Sequence, residues 1–142
     1  LEIVEDENGR PCFAAGYPLE GKVFFNLSHS EGYAAAAVAD CPVGIDIEAF
    51  SQRDMKYIDK ILRPDELEVY DSLEEEERRR YFFEIWVRKE SYLKFLGIGL
   101  KILPKDLMIR DEFVFPRDGS YEGRKTQLLQ DCPEGYVTSL CI

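Results

Sequence analysis

The chain has 142 residues, the size of one domain with a single core, so residues 1–142 are interpreted as one domain. Its formal charge of −10 argues against a surface that binds nucleic acid or an anionic membrane, since either kind of binding needs a positively charged surface. Hydrophobic residues at 45% and aromatic residues at 13% exclude a disordered acidic tail.

The four cysteines are scattered, without a CxxC pair, and the single histidine leaves no Cys/His zinc cluster. This pattern predicts free thiols in a reducing compartment, so the cytoplasm is the expected location. The longest apolar run, Tyr33–Ala39, is too short to span a membrane, and no signal-peptide pattern precedes it. The chain opens Leu-Glu-Ile without an initiator methionine, which suggests part of a longer product.

The first 50 residues are predicted to form strands and turns. Residues 2–5 form a short candidate strand, and the apolar runs 23–27 and 33–39 predict a hairpin with a long polar loop between them. Val43–Glu48 alternates apolar and acidic or small residues, which is typical of a strand with one apolar and one acidic face.

The middle of the chain is predicted to be helical. A modest helix covers 54–62, Pro64 opens another, and a capping box at Ser72–Glu75 starts a long helix that ends near Leu96. Glu and Arg at i,i+4 spacing in residues 74–80 predict a solvated helix face. Predicted antiparallel strands follow at 111–115, 125–129 and 136–141, so the class is α+β, with an antiparallel sheet packed against the long helix.

Asp46 and Glu48 are two positions apart on the predicted strand, so their side chains project from the same face about 6.6 Å apart. Like charges at this spacing repel each other unless a cation or a base lies between them. The alternative interpretation is an exposed polar face of an edge strand, because pairs of acidic residues are common on strands.

Glu90 occupies an apolar position of the long helix. Phe83, Trp86, Leu93 and Gly97 share its stripe at spacings of three and four residues, which is typical of a core-facing surface. A carboxylate there needs a partner. An ion pair with Lys94 at i+4 is one possibility; the other is a divalent cation shared with Asp46 and Glu48, and oxygen ligands suit Mg²⁺, with Mn²⁺ as the alternative.

Two more polar segments precede these acids. Ser28 and Ser30 flank the only histidine, His29, and hydroxyl groups of this kind favour phosphate contacts. Arg10 lies in a Gly-Arg-Pro turn, which alone does not indicate a function.

These segments resemble the signatures of the Sfp-type 4′-phosphopantetheinyl transferases. The similar motifs are Phe25–Ser30, Val43–Glu48 and Trp86–Lys94, in the family's order, and Gly9-Arg10-Pro11 is similar to the family's Gly-Lys-Pro turn. The match runs from about residue 9 to residue 99, with Glu66 between the motifs. The resemblance implies the transferase-like α+β fold.

The resemblance also implies transfer of phosphopantetheine from coenzyme A to a serine of an acyl or peptidyl carrier protein, with release of 3′,5′-ADP. It assigns Asp46, Glu48 and Glu90 to Mg²⁺, and Glu90 or Glu66 to activation of the serine, with Glu66 in a supporting role. It assigns coenzyme A contacts to the side chains of Arg10, Ser28, His29, Lys89 and Lys94, of which Lys94 also has a catalytic role.

Two features depart from the family. Most of the N-terminal half is absent before Ser28, so we expect either a missing N-terminal portion or a site completed by a second subunit. The charge of −10 also gives no long-range attraction for acidic carrier proteins, so local bases must supply it. Two alternative functions stay open: a non-catalytic domain that binds coenzyme A or a carrier protein, and a Mg²⁺-dependent phosphohydrolase.

Overall fold

Three antiparallel sheets and one long helix make up the fold, in a computed structural model that describes all residues, Leu1–Ile142. The strands are β1 (Ile3–Glu5), β2 (Pro11–Phe13), β3 (Phe24–Ser30), β4 (Tyr33–Ala39), β5 (Gly44–Ala49), β6 (Leu107–Arg110), β7 (Phe113–Pro116), β8 (Arg124–Leu128) and β9 (Tyr136–Cys141). The helices are α1 (Ile58–Ile61), α2 (Pro64–Ser72) and α3 (Glu75–Leu96), with 3₁₀ turns at Gln52–Tyr57 and Pro104–Asp106. The predicted α+β class is confirmed. No helix has the length and apolar character needed to cross a membrane.

The main sheet has five strands in the order β5-β9-β8-β7-β6, so β5 forms one edge and pairs with β9. The other two sheets are the hairpins β1–β2 and β3–β4. The predicted strand at residues 111–115 is wrong in its bounds, because Asp111 (φ 54°) lies in the turn between β6 and β7.

Side chains of β3 bond to the free edge of β5 and explain the largest difference from the predicted hairpin. The backbone N–H groups of Ile45, Ile47 and Ala49 donate to side-chain oxygens at 2.8, 3.1 and 3.1 Å. The acceptors are Asn26 Oδ1, Ser28 Oγ and Ser30 Oγ. The segment predicted as a polar loop is therefore a continuation of β3, and the chain reverses only at Glu31 and Gly32.

The long helix begins two residues later than the predicted capping box. Glu74 is the N-cap and forms a capping box with Glu77, whereas the Ser72 hydroxyl donates to the Val69 carbonyl at the end of α2. Gly97 ends the helix in the left-handed region (φ 67°), where glycine has no Cβ clash.

The predicted Glu–Arg pairs of the first turns of α3 do not form. Arg78 instead donates to the carbonyls of Tyr70 and Asp71 and so ties α3 to the preceding helix. The i,i+4 ion pair that does form is Arg80–Glu84, at 3.8 Å.

Helix α3 packs directly on β5 and β9, because small side chains face it. A Cβ atom at Gly44 would lie 2.0 Å from the Ser91 carbonyl oxygen and 2.5 Å from Phe95 N. Ser91 Oγ and Ser139 Oγ share a buried hydrogen bond of 2.9 Å at the same contact. Two buried apolar clusters flank it, one around Phe83 and the other around Leu93. This close approach sets the distance between α3 and the acidic residues of β5.

Candidate functional site

Acidic side chains of β5 and of α3 lie near one another where the helix crosses the strand. Lys94 of α3 contacts Asp46 of β5, with Nζ and Oδ1 2.8 Å apart. Glu90 lies one turn before Lys94, and its negative charge acts on both Asp46 and Glu48. The polar site thus depends on the small residues that allow the helix to approach the strand.

Asp46 is buried, with 3% of its surface exposed, and its two oxygens differ. Oδ1 accepts hydrogen bonds from Ser28 Oγ at 3.0 Å and from Lys94 Nζ. Oδ2 is buried and is the one buried side-chain oxygen or nitrogen in the chain without a hydrogen-bond partner. Lys94 therefore pairs with Asp46, and the alternative Glu90–Lys94 ion pair is not formed.

The three carboxylates repel one another. Burial, together with the negative charges of Asp46 and Glu90, raises the pKa of Glu48 to about 8. Burial and the charge of Asp46 likewise raise the pKa of Glu90 to about 7. Burial also raises the pKa of Asp46, although Lys94 opposes this shift. A positive charge between these groups would relieve the repulsion.

A cavity of about 340 Å³ opens beside this cluster, between α3 and the β1–β2 turn. Glu90, Lys94, Asn26 and Arg10 line it, whereas Asp46 and Glu48 do not. The Arg10 guanidinium lies against Gly97, where an added Cβ would be 2.6 Å from Nη1. The cavity therefore combines two basic side chains with one titratable acid.

The carboxylates of Asp46, Glu48 and Glu90 are suitable ligands for a hard cation, but their arrangement is not that of a complete metal-binding site. In the structure no three acidic, histidine or cysteine side chains are close enough to hold a metal ion together. The unpartnered Asp46 Oδ2 and the raised pKa values of Glu48 and Glu90 fit oxygen ligands of a hard cation. Asp46, Glu48 and Glu90 thus have the ligand type for Mg²⁺, although their side chains do not converge on one point in this structure.

The structure separates the neighbouring residues Ser28 and His29. Ser28 is buried, and its hydroxyl bonds to Asp46 and to the Ile47 backbone, so it is not turned toward the cavity. His29 is exposed on the opposite face of β3 and does not line the cavity. The coenzyme A contacts that the resemblance implied for Ser28 and His29 stay predictions.

Glu66 and Lys89 form a buried ion pair outside the cavity. Lys89 is fully buried, and its Nζ donates to Glu66 Oε2 at 2.6 Å and to the Ile61 carbonyl at 2.8 Å. Glu66 Oε2 also accepts from the Arg63 backbone N–H at 2.9 Å. The structure does not bring these two residues to the cavity, and it links them to each other instead.

Two cavity residues were not singled out from the sequence. Asn26 belongs to the motif Phe25–Ser30, and the polar alternation of Asn26, Ser28 and Ser30 is the signal that these side chains share one face. Asn8 donates from Nδ2 to the Gly97 carbonyl at 2.9 Å and so fixes the β1–β2 turn on the end of α3. No local pattern reveals that contact, because its partners are 89 residues apart.

Comparison with known proteins agrees with this fold. A structure of a holo-(acyl-carrier-protein) synthase from Bacillus anthracis, in complex with CoA (3′,5′-ADP), is similar with a TM-score of 0.56. The likeness covers 70% of this chain and 92% of that chain at 21% sequence identity. The same enzyme from Thermotoga maritima gives a TM-score of 0.51, at 20% identity, over 70% of this chain and 61% of that one. At these identities the likeness establishes the fold.

The sequence relatives are longer proteins. The 4′-phosphopantetheinyl transferase gsp of Aneurinibacillus migulanus is 38% identical over 98 residues, which are 69% of this chain and 39% of that protein. Sfp of Bacillus subtilis is 32% identical over 106 residues, or 75% of this chain and 45% of Sfp. This chain therefore spans less than half the length of these two relatives. The sequence model of the 4′-phosphopantetheinyl transferase superfamily matches residues 42–141, and the chain belongs to that superfamily.

Proposed function

We propose that this chain catalyses Mg²⁺-dependent transfer of 4′-phosphopantetheine from coenzyme A to a serine of an acyl or peptidyl carrier protein. The serine oxygen attacks the phosphorus that bears the pantetheine, an oxygen–phosphorus bond forms, the anhydride bond breaks, and 3′,5′-ADP leaves. The observation that carries the proposal is the unpartnered Oδ2 of buried Asp46, whose Oδ1 bonds to Lys94, a residue that lines the cavity together with Arg10.

The proposed roles follow from position and charge. Asp46, Glu48 and Glu90 would hold Mg²⁺ or Mn²⁺, which would neutralise charge on the pyrophosphate. Lys94 and Arg10 would contact the phosphates of coenzyme A from the cavity wall. Transfer of this kind depends on charge neutralisation and in-line positioning, so no covalent nucleophile is needed.

Glu90 is our proposed base. It lines the cavity, so its carboxylate could take the proton of the acceptor serine, directly or through a water. Glu66 is bound to Lys89 and the Arg63 N–H, so we propose that Glu66 and Lys89 position α3 rather than touch substrate. Ser28 would orient Asp46 in the same supporting way.

We also propose that a second protein surface completes the coenzyme A site. Apolar side chains are exposed on the two hairpins, among them Ile3, Leu27 and Val38, the last with 72% of its surface accessible. Leu27 also lines the cavity, so a second copy of the chain against this face would close one side of it. Sedimentation analysis should then show an oligomer, and a monomer with full activity would contradict this assignment.

The direct test is the intact mass of an apo acyl carrier protein after incubation with this chain, coenzyme A and MgCl₂. We expect a gain of one phosphopantetheine group that EDTA prevents. Asp46→Asn and Glu90→Gln should each lower the rate about 100-fold or more, because each removes charge stabilisation of the transferring group. Glu68→Gln, on the exposed surface of α2, is the matched control and should keep full activity.

The unassembled metal ligands favour one alternative, a domain that binds coenzyme A or a carrier protein without transfer. Calorimetric titration with coenzyme A separates the two functions. Binding without any mass gain would support the alternative, and undiminished transfer by both Asp46→Asn and Glu90→Gln would contradict the proposed site.

A further inference from the structure

The turn between β1 and β2 forms one wall of the cavity, and hydrogen bonds within the turn fix its backbone. Asp6 Oδ1 accepts from the backbone N–H groups of Asn8 and Arg10, both at 2.9 Å. The bond from Arg10 lowers the pKa of Asp6, so this carboxylate is ionised at neutral pH. The Asp6 carbonyl also accepts from the Gly9 N–H at 2.9 Å. The turn therefore presents Asn8 and Arg10 from a backbone of defined shape.

One hydrogen bond attaches this turn to the end of α3. Asn8 Nδ2 donates to the Gly97 carbonyl at 2.9 Å. Strand β1 is exposed at all three of its positions, so burial does little to hold the hairpin in place. Phe13 packs on Phe25 of β3, with ring centres 5.2 Å apart, but it lies at the end of the hairpin opposite the turn. The place of the turn on α3 therefore depends on Asn8.

The guanidinium of Arg10 lies on the same helix end. No ion pair of the chain includes it, whereas Lys94, the other basic residue of the cavity, bonds to Asp46. Gly97 leaves room for it, because a Cβ atom there would lie 2.6 Å from Arg10 Nη1. The C-terminal end of a helix carries partial negative charge, which favours a cation at this place. Arg10 is thus the one basic side chain of the cavity that is free for an anionic ligand.

We propose that Asn8 is a positioning residue of the coenzyme A site, which acts by fixing the place of the Arg10 guanidinium in the cavity wall. Its amide is bonded to the Gly97 carbonyl, so it acts through Arg10 rather than on the ligand. An arginine that is already in place loses less conformational freedom when a phosphate binds, and the affinity is higher. The inference rests on the proposed function, in which Arg10 contacts a phosphate of coenzyme A.

Calorimetric titration with coenzyme A in MgCl₂ tests this role without a carrier protein and without transfer. Asn8→Ala should bind coenzyme A about three- to tenfold more weakly, because the hydrogen bond that places the turn is lost. Arg10→Ala should bind it about tenfold more weakly or worse, because a charge-assisted contact is lost. Adding Asn8→Ala to Arg10→Ala should cause no further loss, because Asn8 acts only through Arg10.

Kinetics give a second readout that a general loss of stability would not produce. Asn8→Ala should raise KM for coenzyme A about three- to tenfold and leave KM for the carrier protein unchanged. Gly97→Ala displaces Arg10 by a different route, because the new Cβ takes the place of Nη1. It should weaken coenzyme A binding in the original chain and much less in Arg10→Ala.

Ser72→Ala is a matched control. It also removes a hydrogen bond from an exposed side chain to a backbone carbonyl, that of Val69 at 2.6 Å. Ser72 lies at the end of α2 and does not line the cavity, so this variant should bind coenzyme A like the original chain. Circular dichroism should show that all variants are folded.

Two results would overturn the inference and leave the proposed function in place. One is an unchanged affinity of Asn8→Ala for coenzyme A, and the other is an equal loss from Asn8→Ala with and without Arg10. Undiminished binding by Arg10→Ala would overturn the inference together with the proposed role of Arg10. No binding of coenzyme A by the original chain would overturn both the inference and the proposed function.

Discussion

Asp46 combines deep burial with an oxygen that has no partner, and such an arrangement costs free energy unless a ligand compensates for it. Its neighbours increase the cost once they are ionised, because Glu48 and Glu90 then place negative charge in the same poorly solvated region. Only Lys94 provides opposing charge by direct contact. At the scale of single residues, the site is therefore one that protonation or a cation stabilises.

This arrangement predicts a pH dependence of stability in EDTA. The pKa values of Glu48 and Glu90 rise from 4.5 to about 8 and about 7 on folding, so the folded chain holds more protons than the unfolded chain between these values. The free energy of unfolding should therefore decrease as pH rises from about 4.5 to about 8, because the excess protons are lost over that window. Urea unfolding at about pH 5 and about pH 8 measures this decrease in the free energy of unfolding.

Glu48→Gln isolates this effect. The variant should lose part of the pH dependence, whereas Glu68→Gln, in an exposed position, should retain it. Adding MgCl₂ at the higher pH should recover stability in the original chain and less in Glu48→Gln. A chain equally stable at both pH values in EDTA would contradict the repulsion inferred at the site.

At the scale of elements, the Glu66–Lys89 pair joins α2 to α3. Lys89→Met leaves the Glu66 carboxylate buried without its partner and should lower the free energy of unfolding by about 3–5 kcal/mol. Glu66→Leu combined with Lys89→Met removes both charges and should recover most of this loss. Urea unfolding of the single and double variants forms a double-mutant cycle, and additive effects would contradict a coupled pair.

The contact between α3 and β5 gives a second prediction at this scale. Gly44→Ala should lower the free energy of unfolding by about 3 kcal/mol, because its Cβ meets the backbone of Ser91 and Phe95. The shift of α3 should also change the pKa of Glu90, measured by NMR titration.

Gly21→Ala is the control for this substitution. Its Cβ has open space, so only the positive φ of 71° contributes, at about 1–2 kcal/mol. Equal losses of stability in the two variants would argue against a close contact at Gly44.

The helix and part of the site could be predicted from local pattern. The stripe through Phe83, Glu90 and Leu93 and the stop at Gly97 define α3, because periodicity and capping depend on neighbours in the sequence. The burial of Lys89 could not be predicted in this way, since its partner Glu66 is 23 residues away.

The role of the polar residues in β3 also cannot be predicted from the local sequence pattern. Ser28 and Ser30 are typical turn formers by composition, but their backbone pairs with Ala35 and Tyr33 of β4 and their side chains bond to the edge of β5. The order β5-β9-β8-β7-β6 is set by which strands meet in space, whereas alternation within a strand indicates only its two faces.

At the scale of the whole molecule, the four free thiols differ in exposure and so report on global unfolding. Cys41 is exposed, whereas Cys141 is completely buried, and burial raises the pKa of its thiol to about 12. A thiol reagent should modify Cys41 quickly in the native chain and Cys141 only after unfolding. Peptide mass analysis over time measures both sites, and rapid modification of Cys141 in the native chain would contradict the core described here.

The contacts from Asn26, Ser28 and Ser30 to β5 have a consequence for the behaviour of this protein in concentrated solution. An edge strand with free N–H groups is a template on which strands of other chains can add. These three side chains occupy the N–H groups of Ile45, Ile47 and Ala49, so that edge is closed to fibril growth and to strand exchange between copies. The side chains that line up against β5 beside Asp46 thus also protect this edge of the sheet against aggregation.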